Sequence, residues 1–170
     1  RRPAMQLRGQ KGYEATSLDD LTKAMSLSRS SFYAAFGSKQ ALFHRALSHY
    51  SRNGLQTLKN VADTADGNPV DAMMQALSNP RGGVKGCMLI NCITELAPHD
   101  EGVAEIGRRH LEKIEEIFAD VLDPENPDAA RARARALSSL AIGTLALRKA
   151  GYPADRIAET LKQAKVILPA

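Results

Sequence analysis

The sequence lacks the features of secreted, membrane-spanning and metal-binding proteins. Among its 170 residues there are only two cysteines, Cys87 and Cys92, too few for a disulfide framework. The longest stretch without a charge, residues 136–147, has twelve residues, whereas a membrane-spanning helix needs roughly 18 or more. No basic segment followed by an apolar one opens the sequence as in a secretory signal. We therefore expect a cytoplasmic protein.

Signatures of catalysis and of metal binding are also missing. The sequence contains no Gly-rich phosphate loop, no His-Glu-x-x-His and no Cys-x-x-Cys. The two cysteines are five positions apart, which is about 140° around a helix, so a regular helix would not direct both thiols at one ion. We expect no catalytic residues, no metal and no cofactor.

The charge is unevenly distributed along the chain. The net charge is +4, but residues 1–60 hold ten basic and three acidic residues, a net of +7, and residues 61–170 hold thirteen and sixteen, a net of −3. A basic N-terminal third on an acidic remainder is typical of a polyanion-binding unit attached to a domain with another task. Chance scatter of solvated charge is the alternative, and charge alone does not decide between them.

The pattern of apolar and capping residues predicts helices throughout, because no long run alternates apolar and polar residues as a half-buried strand does. Helix starts are indicated by Ser, Asp or Asn caps and by proline at the first helical position. We predict an all-α fold of about nine helices. They are one before Gly12, one from Ser17, one from Ser28, one from Ser38 toward Val61, one from Asn68-Pro69, residues 86–97, residues 100–122, one from Asp128 to Gly151, and one from Pro153.

Residues 12–43 predict a helix-turn-helix. Their sequence is GYEATSLDDLTKAMSLSRSSFYAAFGSKQALF. A short amphipathic helix is followed by a tight turn at residues 25–27, and Phe32 and Phe36 form an i, i+4 pair that anchors a second helix on the first. A second helix of this kind fits the major groove and uses its N-terminal residues on base edges.

This stretch resembles the N-terminal domain of the TetR family of bacterial transcriptional regulators. The matching residues span more than thirty positions: Gly12-Tyr13, Thr16-Ser17, Asp20-Leu21, Phe32-Tyr33 in the helix over residues 28–36, and Ser38-Lys39 with Ala41-Leu42-Phe43. A weaker resemblance, to a C-terminal subgroup of the same family, covers Gly86-Cys87, Asn91 and residues 95–98. Ser26 departs from the family, which usually has glycine at this turn position, so we expect a strained or altered turn there.

The resemblance implies roles for six residues. Tyr33 and Lys39 fall on the family's phosphate contacts, and Ser17 offers a further phosphate donor at a helix start. Arg29, Ser30 and Ser31 occupy the base-reading positions. Arg29 is the candidate for a bidentate contact with guanine, worth roughly 1–3 kcal/mol of discrimination. Taken singly, Tyr33 could equally be a core residue and Lys39 a solvated charge.

The C-terminal part is larger than a DNA-reading unit needs, and the resemblance implies that it binds a small effector and dimerises. We divide the chain into a helix-turn-helix domain, residues 1–44, and an effector-binding and dimerisation domain, residues 45–170. An Ala-rich helix around residues 129–150 and an amphipathic one at residues 154–168 could pair with their copies in a four-helix interface. Ordinary packing within one chain is the alternative.

The effector pocket is harder to locate, because most apolar residues at helical spacing are simply core. The candidate ligand contacts are Met74, Leu77, Cys87, Asn91, Glu95 and Phe118. His110 is a further polar residue amid apolar ones. Cys87 begins a predicted helix and follows Lys85, a setting that favours a reactive thiol, although a buried structural thiol is the more common case.

Together these features predict a homodimeric regulator, a repressor released from a palindromic operator in double-stranded DNA by a small-molecule effector. The alternatives are a helical enzyme and an interaction scaffold that does not read DNA. Salt-dependent binding to random DNA is expected only of the regulator.

Overall fold

The computed structural model describes residue 23, residue 26 and the ranges 28–79 and 86–167. These residues form seven helices and no strand, so the predicted all-α class is confirmed for them. The two further helices predicted before Gly12 and from Ser17 lie outside the described residues. The helices are α1 (Arg29–Phe36), α2 (Lys39–Asp63), α3 (Pro69–Ser78), α4 (Met88–Leu96), α5 (Glu101–Leu122), α6 (Pro127–Lys149) and α7 (Ala154–Ile167).

Local capping sets most of the helix starts. The Ser38 hydroxyl accepts a hydrogen bond from the Ala41 amide at 3.0 Å, and the Asn68 side chain accepts one from the Val70 amide at 2.9 Å. Asp100 caps α5 in the same way. These bonds satisfy amides that have no partner within the first turn of a helix.

The main apolar core lies where α2, α3, α5, α6 and α7 pack together. Its buried residues include Met73, Met74, Ile114, Phe118, Ala134, Ala141 and Leu161. A second cluster joins α2 to α4 and α5 through Phe43, Leu47, Leu89 and Val103. Burial of these apolar faces stabilises helices that would be marginal alone. In the described part of the chain, no helix has the length and apolar character that crossing a membrane requires.

The long helix α2 links the end of α1 to the rest of the protein. Gly37, with a φ of +73°, and Ser38 are the only residues between the two helices. α2 then contributes Phe43 and Leu47 to the second cluster and Leu58 to the main core. The predicted domain boundary at residues 44 and 45 falls inside this helix. The two-domain division stays a prediction, but a single helix would connect the two parts.

Candidate functional site

The turn before α1 contains Ser26 in the left-handed conformation, with a φ of +53°. Its amide donates to the Lys23 carbonyl at 3.1 Å, which closes a tight turn. Glycine adopts this conformation without a steric penalty, whereas Cβ makes it unfavourable for serine. The strain expected at Ser26 from the sequence is therefore present.

Replacing this residue, Ser26→Gly, should raise the free energy of unfolding by about 0.5–1 kcal/mol, because relief of the strained φ outweighs the extra backbone entropy of glycine. Urea denaturation measures the change. Ser30→Gly is the matched control, since Ser30 lies in the first turn of α1, where glycine relieves no strain and should lower stability by less than the about 1 kcal/mol of a helix interior. A destabilised Ser26→Gly protein would show that the turn does not favour glycine.

The N-terminal end of α1 presents a cluster of exposed hydroxyls. The Ser28 Oγ accepts from the Ser31 amide at 3.1 Å and lies 2.9 Å from Ser31 Oγ and 3.1 Å from Ser30 Oγ. All three serines are exposed. Hydroxyls at a helix N-terminus can donate to phosphates or to base edges. Ser30 and Ser31 are thus accessible, as their predicted base-reading roles require.

Lys39 occupies the first position of α2, directly after the Ser38 cap. It is partly exposed, and a helix N-terminus favours anions near it. Of the other predicted DNA contacts, Ser17 and the side chains of Arg29 and Tyr33 lie outside what the structure describes. The predicted DNA-binding set therefore stays a prediction, with Ser30, Ser31 and Lys39 as its described members.

A cavity of about 470 Å³ lies in the larger helical part of the molecule. Ligand-binding pockets are typically about 300–1,000 Å³ in volume. Two of the predicted ligand contacts, Leu77 and Cys87, line it. The lining residues are Tyr50, Asn53, Gly54, Leu55, Thr57, Leu58, Ala76, Leu77, Asn79, Gly86, Cys87, His110, Ile114 and Arg148.

The other four predicted ligand contacts lie elsewhere. Met74 and Phe118 are buried in the main core. The side-chain oxygen of Asn91 accepts from Lys149 Nζ at 3.1 Å, and Glu95 is exposed. None of the four is among the described residues that line the cavity.

The Cys87 thiol faces a tyrosine. Its Sγ lies 4.0 Å from the Tyr50 hydroxyl. Burial, together with the neighbouring Cys87, raises the pKa of Tyr50 to about 12, so the phenol stays protonated at neutral pH. Both cysteines are thiols rather than disulfide-bonded, and both are partly buried. Reactivity of Cys87 stays a hypothesis, and among the described residues no three His, Cys, Asp or Glu side chains are grouped as metal ligands.

His110 is a buried polar residue of the cavity wall. Its Nδ1 lies 2.8 Å from the Ser51 hydroxyl, and its side chain comes from α5. Burial lowers the pKa of His110 to about 4, so the imidazole is neutral at physiological pH. The sequence identified this histidine only as a polar residue in an apolar stretch.

Arg148, near the end of α6, is one of several cavity residues that sequence reasoning missed. It is buried and donates from Nη1 to the carbonyl oxygens of Ser78 and Asn79, at 2.9 and 2.6 Å. A basic residue in the last turn of a helix is common and usually exposed. The only available signal was that it ends the longest uncharged run in the sequence.

A polar contact joins the start of α5 to the part of α2 near Lys39. The Asp100 carboxylate lies 2.9 Å from His44 Nε2 and accepts from Gln40 at 3.3 Å. Burial would raise the pKa of Asp100, but hydrogen bonds from His44, the Val103 amide and Gln40 outweigh it and keep the pKa below its usual value. This carboxylate therefore ties the two helices together.

The backbone of α5 also approaches the same histidine closely, two residues after Asp100. A Cβ added at Gly102 would lie 2.3 Å from the His44 ring, a distance that side chains do not tolerate. The start of α5 therefore packs directly against the His44 ring of α2.

The described part of the chain thus contains a short helix with accessible serines, a long helix and a larger bundle that holds the cavity. The family model of the bacterial regulatory proteins, tetR family, matches residues 2–46. Residues 2–46 therefore carry the N-terminal segment of the TetR family.

Individual relatives agree with this assignment. The chain is 26% identical over 162 residues to the HTH-type transcriptional repressor BdcR of Escherichia coli, covering 91% of this chain and 80% of BdcR. Two solved structures share the fold. E. coli NemR in its reduced form has a TM-score of 0.81 at 19% identity, covering 99% of this chain and 95% of the other. A CifR cysteine mutant complexed with 26-base-pair operator DNA has a TM-score of 0.79 at 24% identity, covering 99% and 94%.

Proposed function

We propose that the protein is a homodimeric repressor that binds a palindromic operator and is released when a small-molecule effector occupies the cavity. The observation that carries the proposal is the course of α2. Its first residue is Lys39, and its later turns supply Tyr50, Asn53, Leu55 and Thr57 to the cavity wall. One helix thus connects the predicted phosphate contact with the predicted effector site.

The DNA-reading part uses two kinds of contact. Arg29, Ser30 and Ser31 would contact base edges in the major groove, and Tyr33, Lys39 and Ser17 would contact phosphates. Base contacts provide sequence preference, whereas phosphate contacts provide affinity and register. The exposure of Ser30 and Ser31 and the N-terminal position of Lys39 on α2 support this assignment.

Dimerisation through the last two helices, residues 129–150 and 154–168, is supported by the exposed face of α6. With the partly buried Ala136 included, small residues recur on that face every three or four positions, and an added Cβ at Gly143 would meet no other atom within 4 Å. Small side chains let a second helix approach closely. The exposed members are Ala129, Ala132, Ser139, Gly143, Ala146 and Ala150.

Release by the effector would follow from the contact between α5 and α2. His110 and Ile114 on α5 line the cavity, and the start of the same helix holds α2 through Asp100 and Gly102. An effector that displaces α5 would move the two recognition helices away from the roughly 34–36 Å spacing of successive major grooves. Effector and operator would then oppose each other with equal coupling in both directions.

Selection of bound sequences from random double-stranded DNA tests the proposal. A two-fold symmetric site is expected, because a symmetric dimer reads two equivalent half-sites. Binding to random DNA should also weaken steeply with salt, as counterion release requires. An enzyme or a scaffold would show neither result, and an asymmetric selected site would contradict the dimer.

Two substitutions should separate the two kinds of DNA contact. Lys39→Ala should weaken binding to all sequences alike and reduce the salt slope by about one, because one phosphate contact is lost. Arg29→Ala should relax the preference at a single base pair by roughly 1–3 kcal/mol. Fluorescence anisotropy on the selected site and on its single-base variants measures both. A Lys39→Ala effect confined to one base pair would refute the phosphate role.

A further inference from the structure

The cavity wall contains a buried cation whose hydrogen-bonding capacity is only partly used. Arg148 is 4% exposed. Its Nη1 donates to the Ser78 and Asn79 carbonyls at the end of α3, at 2.9 and 2.6 Å. The buried Nε has no partner, and within the described part of the chain Nη2 donates no hydrogen bond either. The Nε–Nη2 edge of a guanidinium is one that a carboxylate or sulfonate can bind through two parallel hydrogen bonds.

The charge of Arg148 is also incompletely compensated. None of the described residues that line the cavity is Asp or Glu, and Arg148 is the only Lys or Arg among them. The carboxyl end of a helix supplies about half a negative charge, whereas the guanidinium carries a full positive one. A buried charge without a counterion is costly, so the site would be stabilised by an anion.

The remaining lining residues define what the rest of a ligand could be. Leu55, Leu58, Leu77 and Ile114 supply apolar surface, and Tyr50 offers a hydroxyl. Because the pKa of Tyr50 is raised to about 12 and that of His110 is lowered to about 4, both side chains are neutral at physiological pH. Neither side chain therefore adds to or offsets the charge of Arg148.

We infer that the cavity binds an organic anion: a molecule with an apolar body and one acidic group, whose acidic group pairs with the Nε–Nη2 edge of Arg148. This inference rests on the proposed function, in which the same cavity binds the effector, and it specifies the chemical class of that effector. The cavity volume of about 470 Å³ is large enough for an apolar body of one or two fused rings or a medium-length acyl chain.

Two fluorescent probes that differ in charge test the inference on the wild-type protein without DNA. Anilinonaphthalene sulfonate is an apolar anion, and phenylnaphthylamine is nearly the same molecule without the sulfonate. The anion should bind about tenfold more tightly than the neutral probe or better, a factor that corresponds to about 1.4 kcal/mol. Equal or weaker binding of the anion would overturn the inference.

The substitution Arg148→Met then tests the residue itself. It should lower the affinity for the anionic probe about tenfold while leaving that for the neutral probe within about twofold. Arg135→Met is the matched control, because Arg135 lies on the same helix but is exposed and pairs with Glu115 at 2.8 Å. An Arg148→Met protein that keeps the preference for the anion would refute the pairing.

Folding of the variant is checked by its thermal unfolding. If Arg148→Met does not fold, the comparison of the two probes on the wild-type protein still decides. Failure of the inference is distinguishable from failure of the proposed function. If the protein selects a palindromic site but binds both probes equally, the repressor proposal stands and only the anionic class of the effector is refuted. If it prefers the anionic probe but selects no DNA site, the repressor proposal is refuted and the anion site stands.

Discussion

Replacing Phe118 with alanine is expected to lower the free energy of unfolding by about 3–5 kcal/mol. The Phe118 side chain is completely buried in the main core, beside Met74 and Ile114. Its removal leaves a void that close-packed neighbours fill only partly, so the lost transfer free energy and the cavity term add. Chemical denaturation followed by far-ultraviolet circular dichroism measures the loss.

The matched control is Leu77→Ala. Leu77 is only partly buried and already borders the cavity, so its truncation creates little new void and should cost about 1 kcal/mol. Leu77→Ala should instead weaken probe binding. From the sequence alone, both Phe118 and Leu77 were predicted to be ligand contacts. A Phe118→Ala protein with wild-type stability but impaired probe binding would restore Phe118 to that role.

The second large effect is a loss of stability on acidification caused by His110. Its pKa is lowered from 6.5 to about 4 in the folded protein. Below pH 6.5 the unfolded chain therefore takes up a proton that the folded protein does not, and the free energy of unfolding falls with falling pH until about pH 4. The total contribution of this residue is about 3 kcal/mol.

The variant His110→Gln should show a flatter dependence of stability on pH in this window, because glutamine does not titrate and can still hydrogen-bond Ser51. Urea denaturation at a series of pH values gives both profiles. Above neutral pH the difference between the two proteins should be constant, which provides the internal control. Parallel profiles below pH 6.5 would show that the folded protein accommodates a protonated His110.

The positions of the helices follow from local sequence signals. Ser38 and Asn68 cap the helices at the predicted residues, because a capping side chain needs only amides two or three positions away. The predicted start at Asp128 differs by one residue from the observed Pro127. The helix predicted over residues 86–97 begins at Met88, with Cys87 as a cap that makes no side-chain hydrogen bond, so its local signal was weaker.

The turn conformation expected at Ser26 also follows from the local sequence. The predicted helix-turn-helix register places this residue at the turn, and the turn requires a positive φ whatever side chain is present. The family assignment depended on the same kind of information, since the residues that carry it lie close together in sequence.

The location of the cavity and the residues that line it depend on tertiary structure. Periodicity shows that Leu77 and Phe118 lie on apolar faces, but it does not distinguish a face that borders a void from one packed without gaps, because that depends on how neighbouring helices cross. The pairing of Arg148 with the end of α3 joins residues about seventy positions apart, and no pattern in either segment encodes it.

The sequence by itself therefore determined the all-α class, most helix boundaries and the segment that the family model matches, because these depend on residues that lie close together in sequence. Only the tertiary structure decided which polar groups surround the cavity and that one of them is a buried, partly unpaired cation. Burial and charge compensation are properties of the packed molecule, since they depend on which groups the fold brings together and which it leaves without a partner.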